Sequence, residues 1–181
     1  MSLLGNLITE VSKRNKSNRP IPVYSVTNSG GFVRDYFNKD VSSRNKKTYK
    51  IVERFDFAFN PSRINVGSID CLTVADEAVV SPIYTVFSCH PSVYPLYLNY
   101  FLKSKYVHDY INSVTSGSVR SILKLDALKA LDIDLPTLEV QKERVSKLEG
   151  IKKLKTLAID EAFLYDELIK SRFNEVGGAI C

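Results

Sequence analysis

The alternation of apolar and polar residues divides the chain into two parts. In residues 1–136, short segments rich in β-branched and aromatic residues are separated by turn-forming Asn, Gly, Ser and Pro. Segments of this kind are typical of β-strands. They predict strands at Pro22–Val26, Tyr49–Val52, Phe55–Phe59, Ile69–Val74 and Ile83–Phe87. Apolar residues then recur three and four positions apart, which predicts one helix from about Tyr94 to Val114.

A domain boundary follows at Pro136. The segment Leu125–Leu135 joins a short helical pattern to an alternating stretch that suits a strand. Pro136 then ends regular pairing because it lacks a backbone N–H, and Thr137 stands where a helix N-cap is favoured. We therefore predict a domain at residues 1–136 and a helical segment at residues 137–181. The predicted fold class is α+β: a mixed α/β domain with a β-rich core, followed by a long C-terminal helix that pairs as a coiled coil.

The C-terminal helix is predicted to run from about residue 138 to 175, on the order of 55 Å at 1.5 Å per residue. Its apolar residues recur at spacings of three and four and form a stripe. We predict that the stripe mediates pairing with a second helix through Leu148, Ile151, Leu154, Ala158, Ala162, Tyr165, Leu168 and Ile169. The alternative is a helix that folds back at Gly150 and packs on its own domain.

The positive charge of the chain lies in its first part. The net charge is +5, and the residues from Thr137 onward hold eight basic and eight acidic side chains, so that the whole excess belongs to residues 1–136. Two basic clusters stand out, one of Lys13, Arg14, Lys16 and Arg19 and one of Arg44, Lys46, Lys47 and Lys50. Clusters of this kind favour contacts to phosphates, although each of them also fits a solvated loop.

Polar turn residues near these clusters are candidates for contacts to base edges. Asn and Arg make bidentate hydrogen bonds to adenine and guanine. The candidates are Asn28, Asn60, Ser62, Arg63 and Asn65.

The sequence gives no sign of catalysis, of a metal site or of a bound cofactor. It contains neither a glycine-rich phosphate loop nor a nucleophile elbow, and the two histidines, His90 and His108, have no ligand partners at a suitable spacing. Cys71, Cys89 and Cys181 form no CxxC pair, which predicts free thiols in a reducing cytoplasm. No apolar run approaches the roughly 20 residues of a membrane helix. We therefore expect a non-catalytic cytoplasmic protein.

The order of several segments resembles a known family. The segments are Pro22–Asn28 followed by Gly31–Val33, then Tyr49–Val52, Phe55–Ile69, Val79–Tyr84 and finally Ser116–Val145, in which Gly117, Arg120, Leu135-Pro136 and Gln141 stand out. Together they resemble one target-recognition domain and one conserved spacer helix of a Type I restriction–modification specificity subunit. The resemblance adds Arg120 to the candidates for DNA contact.

The resemblance implies a role and a set of partners. Specificity subunits are not catalytic: each recognition domain reads one half of a split target in double-stranded DNA. The helices dock methyltransferase (M) subunits, which use S-adenosylmethionine, and through them restriction (R) subunits. The family carries two domains and two helices in tandem, so this chain is either a half-length subunit that pairs with a second copy or a fragment. The alternative function is a non-catalytic scaffold that assembles protein partners through the helix.

Overall fold

The computed structural model describes residues 1–34, 45–115 and 122–177, with side chains described as far as residue 175. The chain divides into two compact units, Met1–Gln141 and Lys142–Cys181. Its strands are β1 (Ser2–Leu3), β2 (Ile8–Glu10), β3 (Tyr24–Thr27), β4 (Gly31–Arg34), β5 (Lys50–Glu53), β6 (Phe57–Phe59), β7 (Ile69–Cys71), β8 (Glu77–Val80), β9 (Thr85–Cys89) and β10 (Asp132–Ile133). Its α-helices are α1 (Pro95–Leu102), α2 (Lys105–Thr115), α3 (Leu125–Lys129) and α4 (Leu138–Gly177), and short 3-10 helices span Leu4–Asn6 and Ile64–Val66.

All strand pairs named here are antiparallel, and the largest sheet has four strands in the order β2-β9-β6-β7. Three smaller pairs accompany it: β1 with β10, β3 with β4, and β5 with β8. A bridge between Val23 and Val79 joins the start of the β3–β4 hairpin to the β5–β8 pair. The first unit is therefore a set of small sheets arranged around one central sheet.

The central sheet is buried on both faces. Successive strand residues point to opposite faces, so that Phe57 and Phe59 of β6 lie in one core and Ala58 lies in another. Phe57 stacks on Phe87 of β9 with ring centroids 5.0 Å apart, on the face that the helices cover with residues such as Leu98. The opposite core contains side chains of the β3–β4 hairpin and of the β5–β8 pair. The hairpin is thus held against the central sheet by apolar packing.

The predicted α+β class with a β-rich core and a long C-terminal helix is confirmed. The strand bounds shift by a few residues, most clearly at the predicted strand Phe55–Phe59. Phe55 has a φ of 71° and lies in a turn, so the strand begins at Phe57. Strands β4 and β8 were not predicted, because β4 begins with Gly31 and β8 with Glu77, residue types that are uncommon in strands.

The prediction of one continuous helix from about Tyr94 to Val114 was wrong. The structure has two helices, α1 and α2, separated at Lys103 and Ser104. Ser104 explains the break, since its hydroxyl accepts a hydrogen bond from the N–H of Val107 at 3.3 Å and thereby caps the start of α2.

The long helix α4 is continuous from Leu138 to Gly177 and passes through Gly150 without interruption. The alternative in which the chain folds back at Gly150 is therefore wrong. A Cβ placed on Gly150 would meet nothing within 4 Å. The glycine thus lies in a helix interior with open space beside it.

Cys71 and Cys89 are free thiols, as the sequence predicts for both, and burial raises the pKa of each. Cys181 lies outside the described residues. Within the described ranges, no three His, Cys, Asp or Glu side chains are grouped so as to hold a metal ion. None of the described helices combines the length and the apolar character needed to cross a membrane.

Candidate nucleic-acid interface

The two basic clusters of the sequence lie side by side in the fold. An isolated antiparallel bridge pairs Arg14 with Lys50, and the N–H of Ile51 donates to the carbonyl of Lys13 at 2.8 Å. Further along, the backbone N–H of Lys46 donates to the side-chain oxygen of Asn18 at 2.8 Å. Segments that are about 30 residues apart in sequence therefore form one surface, which we call the basic surface (residues 13–19 and 45–50).

Several cations of the basic surface are engaged within the protein. Lys13 pairs with Glu53 and Arg19 with Glu77, the second pair through both guanidinium nitrogens. The Arg14 guanidinium donates to the carbonyl of Thr48 at 2.7 Å. These side chains fix the two segments to neighbouring strands, which reduces their availability for phosphate.

Lys50 has a structural role as well. Its Nζ donates to the carbonyl of Tyr84 at 2.7 Å. Burial lowers the pKa of Lys50, Arg14 lowers it further, and Glu10 opposes the shift. The Lys50 ammonium is thus partly buried and held by a carbonyl partner.

Lys16, Lys46 and Lys47 make no ion pair with any residue of ranges 1–34, 45–115 and 122–175. Lys16 and Lys47 are exposed and Lys46 is half-buried. A lysine without an internal ion-pair partner can contact a phosphate without first giving up such a partner. Arg44 and Arg120, which were also predicted to contact DNA, lie outside the described residues.

The polar turns form a second feature beside the basic surface. The turn after β3 carries Asn28, and the loop after β6 carries Asn60 and Arg63. The two are in contact: a Cβ on Gly67 would lie 3.5 Å from the Cβ of Asn28, and the hydroxyl of Ser68 donates to the carbonyl of Val26 at 2.6 Å.

A cavity of about 290 Å³ opens between these turns and the strands behind them. The lining includes Asn28, Asn60 and Arg63, three of the five predicted base-reading residues. Ser62 and Asn65 belong to the same loop but not to the lining. We call this feature the tyrosine cavity, because its lining also contains Tyr24, Tyr49 and Tyr84.

The tyrosine cavity and the basic surface are continuous. Tyr49 lines the cavity, and its backbone carbonyl accepts a hydrogen bond from the N–H of Asn15 at 3.0 Å. The Tyr84 carbonyl accepts the Lys50 ammonium. Sequence reasoning missed all three tyrosines as site residues. All three lie in or beside predicted strands, and a tyrosine at such a position can equally well line a cavity or pack in the core.

The second unit presents an exposed apolar surface on α4. Ile151, Leu154, Tyr165 and Ile169 of the predicted stripe are each more than half exposed. Further exposed apolar residues that the predicted stripe did not include are Leu157, Ile159, Phe163, Leu164 and Phe173. Because successive residues of a helix are about 100° apart, these additions widen the stripe beyond the seam of a two-helix coiled coil.

Two comparisons relate the chain to known proteins. Residues 8–162 match the family model Methylase_S, described as Type I restriction modification DNA specificity domain. The fold is similar to the crystal structure of the HsdS subunit from Thermoanaerobacter tengcongensis, with a TM-score of 0.61 and 16% identity over 86% of this chain and 43% of that one. A second similar structure, at a TM-score of 0.55 and 15% identity, covers 88% of this chain and 39% of that one. That structure concerns complex assembly and conformational transition of the type I R-M system.

This chain thus spans less than half the length of either solved structure. A search of curated proteins found no match.

Proposed function

This chain belongs to the Type I restriction modification DNA specificity domain family, and from that premise we propose that its first unit reads the sequence of double-stranded DNA. The observation that carries the proposal is the continuity of the basic surface with the polar turns. Lys16, Lys46 and Lys47 would contact phosphates, while Asn28 and Asn60 would reach base edges. Phosphate contacts supply affinity and register, and base contacts supply discrimination.

A double substitution tests the phosphate contacts. Lys46→Ala with Lys47→Ala is expected to weaken binding of the full chain to all duplexes by a similar factor. The slope of log K against log salt concentration is negative, and each lost phosphate contact makes it shallower by about 0.9. The loss of two contacts therefore makes it shallower by about 1.8. The measurement is filter binding across a salt series, with random duplexes and with duplexes enriched from a random pool.

Lys152→Ala with Lys153→Ala is the matched control, since it removes the same charge from exposed positions of the second unit. We expect its salt slope to equal that of the wild type. Equal slopes for both double variants would contradict the placement of the phosphate contacts. Failure of the wild type to bind any duplex would favour the scaffold function instead, for which the exposed surface of α4 is the supporting observation.

The proposal extends to assembly. We infer that α4 joins two copies of this chain, so that two recognition units read an inverted, bipartite target. The apolar residues outside the dimer stripe, such as Leu157 and Leu164, would dock methyltransferase subunits, and restriction subunits would join through those. The chain itself would be non-catalytic. What supports this arrangement is the width of the exposed apolar surface, which exceeds what one partner helix covers.

Pairing through α4 predicts a concentration-dependent dimer. Leu154 is exposed and central to the stripe, so Leu154→Ala is expected to weaken the dimer about ten- to a hundredfold, by lost apolar burial. Thr156→Ala, two residues further along the same exposed helix, is the control and is expected to change dimerisation by less than about threefold. Light scattering and sedimentation over a concentration series provide the measurement. A wild-type chain that stays monomeric at micromolar concentration would rule out self-pairing.

A further inference from the structure

The tyrosine cavity is concave, whereas contact with the edge of a stacked base pair does not require a concave site. A base edge in an intact duplex is read by side chains that protrude into a groove. A cavity instead suits a group that protrudes from the ligand. Its volume of about 290 Å³ lies just below the range of about 300–1,000 Å³ typical of small-ligand sites.

The walls of the cavity are held in place by hydrogen bonds and ring contacts. The Tyr84 hydroxyl accepts the N–H of Val26 at 3.3 Å, and the Tyr84 N–H donates to the carbonyl of Ser81 at 3.1 Å. The Tyr24 ring packs edge-to-face on Phe32 with centroids 6.3 Å apart. Aromatic walls fixed in this way bind a planar ring with little loss of side-chain entropy.

The polar groups at the cavity suit a heteroaromatic ring. The Oδ1 of Asn60 accepts the N–H of Ser62 at 3.0 Å, which leaves its Nδ2 as a donor with no partner in the described part of the chain. The amide of Asn28 likewise has no hydrogen bond to a described side chain or backbone group and offers both a donor and an acceptor. Two amides beside aromatic rings match the hydrogen-bonding edge and the faces of a nucleobase.

The charge of the lining selects against cationic ligands. Among the described residues of the lining, Arg63 alone is charged, and the neighbouring basic surface adds Lys46 and Lys47. A neutral ring attached to an anionic group fits this distribution. A nucleotide has that composition, with a base for the cavity and a phosphate for Arg63 and the lysines.

We propose that the tyrosine cavity binds one unstacked nucleobase, with the attached phosphate at Arg63. The inference rests on the proposed function, because the main source of the ligand would be a base that leaves the stack of the recognised DNA. A free mononucleotide offers the same chemistry and is the second source. Asn28 and Asn60 would then bond to the edge of the unstacked base rather than to a base edge inside the duplex, because the ring itself enters the protein.

Two exposed apolar residues provide a matched pair of variants. Ile83 lines the cavity and is 63% exposed, whereas Val74 is 62% exposed and lies outside the lining. Ile83→Trp is expected to fill the cavity, and Val74→Trp adds a similar bulk elsewhere on the same unit. Both positions are exposed, so both variants are expected to retain the wild-type melting temperature within a few degrees.

The experiment uses 2-aminopurine, whose fluorescence rises when the base leaves the stack. A duplex is first enriched from a random pool with the full wild-type chain, and 2-aminopurine then replaces one base at a time. We expect a several-fold rise at one position with the wild type and with Val74→Trp, and no rise with Ile83→Trp. In a second arm, anisotropy of 2-aminopurine deoxyriboside monophosphate is expected to show saturable binding that Ile83→Trp weakens at least about tenfold.

The outcomes separate the two proposals. Enrichment of a duplex without a fluorescence rise at any position, together with no binding of the monophosphate, overturns the nucleobase site and leaves the proposed function standing. No enrichment of any duplex contradicts the proposed function, and the monophosphate arm then decides the cavity alone. Equal loss of signal in both tryptophan variants also overturns the site, because the effect would not depend on the cavity.

Discussion

Replacing Gly31 with alanine is expected to lower the free energy of unfolding of the first unit by about 3 kcal/mol. Gly31 has a φ of +60°, a conformation that side chains with a Cβ adopt at a cost. A Cβ at this position would lie 1.8 Å from the Oδ2 of Asp70. Urea denaturation of the wild type and the variant gives the difference.

Asp70 has little freedom to move away from the added methyl group. Its Oδ2 accepts the N–H of Phe32 at 3.3 Å, and its Oδ1 accepts hydrogen bonds from Asn99 at 3.0 Å and from Lys103. The carboxylate therefore ties the β3–β4 hairpin to helix α1. A small displacement of Asp70 would disturb three partners: Phe32 in β4, Asn99 in α1 and Lys103 directly after α1.

The clash and the backbone strain can be separated by a double-mutant cycle. In the background of Asp70→Ala, the cost of Gly31→Ala is expected to fall to about 1 kcal/mol, the cost of the positive φ alone. Gly150→Ala is the control for glycine replacement in open space, and it should stabilise α4 by about 0.5–1 kcal/mol. A loss below 1 kcal/mol for Gly31→Ala in the wild-type background would show that Asp70 moves freely.

The long helix was the feature that the sequence predicted best. Apolar residues at spacings of three and four from Leu148 to Ile169 carry a strong periodic signal, and Pro136 and Thr137 mark the start of the helix. The division at Ser104 was missed because apolar residues continue on both sides of it. Local capping by one hydroxyl decides that boundary, and a serine on a helix is common enough to give no warning.

The sequence indicated the types of residue at the candidate site, but not how the fold brings them together. Basic and polar clusters are visible in the sequence, but the pairing of Arg14 with Lys50 is a long-range contact that no local pattern encodes. The same holds for Glu53 and Glu77, which engage Lys13 and Arg19. Counting cations along the chain therefore does not reveal which of them have partners within the protein, and the structure shows such partners for Lys13, Arg14 and Arg19.

Gln141 shows how a single residue of the sequence motif acts in the fold. Its side chain is fully buried. The Oε1 accepts the N–H of Tyr94 at 2.7 Å, and the Nε2 donates to the carbonyls of Ser92 at 3.0 Å and of Pro136 at 2.8 Å. The first turn of α4 is thereby fastened to the start of α1 and to the segment after β10. Among side chains of this length, the amide of glutamine supplies an acceptor oxygen and two N–H donors together.

Gln141→Glu is expected to destabilise the first unit by about 4 kcal/mol at pH 7. The change keeps the shape but replaces both donated hydrogen bonds with repulsion between a buried carboxylate and two carbonyl oxygens. Asn65→Asp, an amide-to-acid change on a half-buried loop, is the control and should stay within about 0.5 kcal/mol of the wild type. Denaturation by urea measures both variants.

The dependence on pH distinguishes a buried charge from simple loss of packing. Burial and the facing carbonyls raise the pKa of a glutamate at position 141 in the folded state above its unfolded value of about 4.3. The folded state then binds more protons than the unfolded state between these two pKa values, so stability falls as pH rises through that window. The deficit of Gln141→Glu relative to the wild type should therefore shrink on acidification from pH 7 towards pH 5. A deficit that is independent of pH would mean that lost hydrogen bonds and packing, rather than the charge, account for the cost. In that case the acidified variant should match Gln141→Met, which removes the hydrogen bonds without adding a charge.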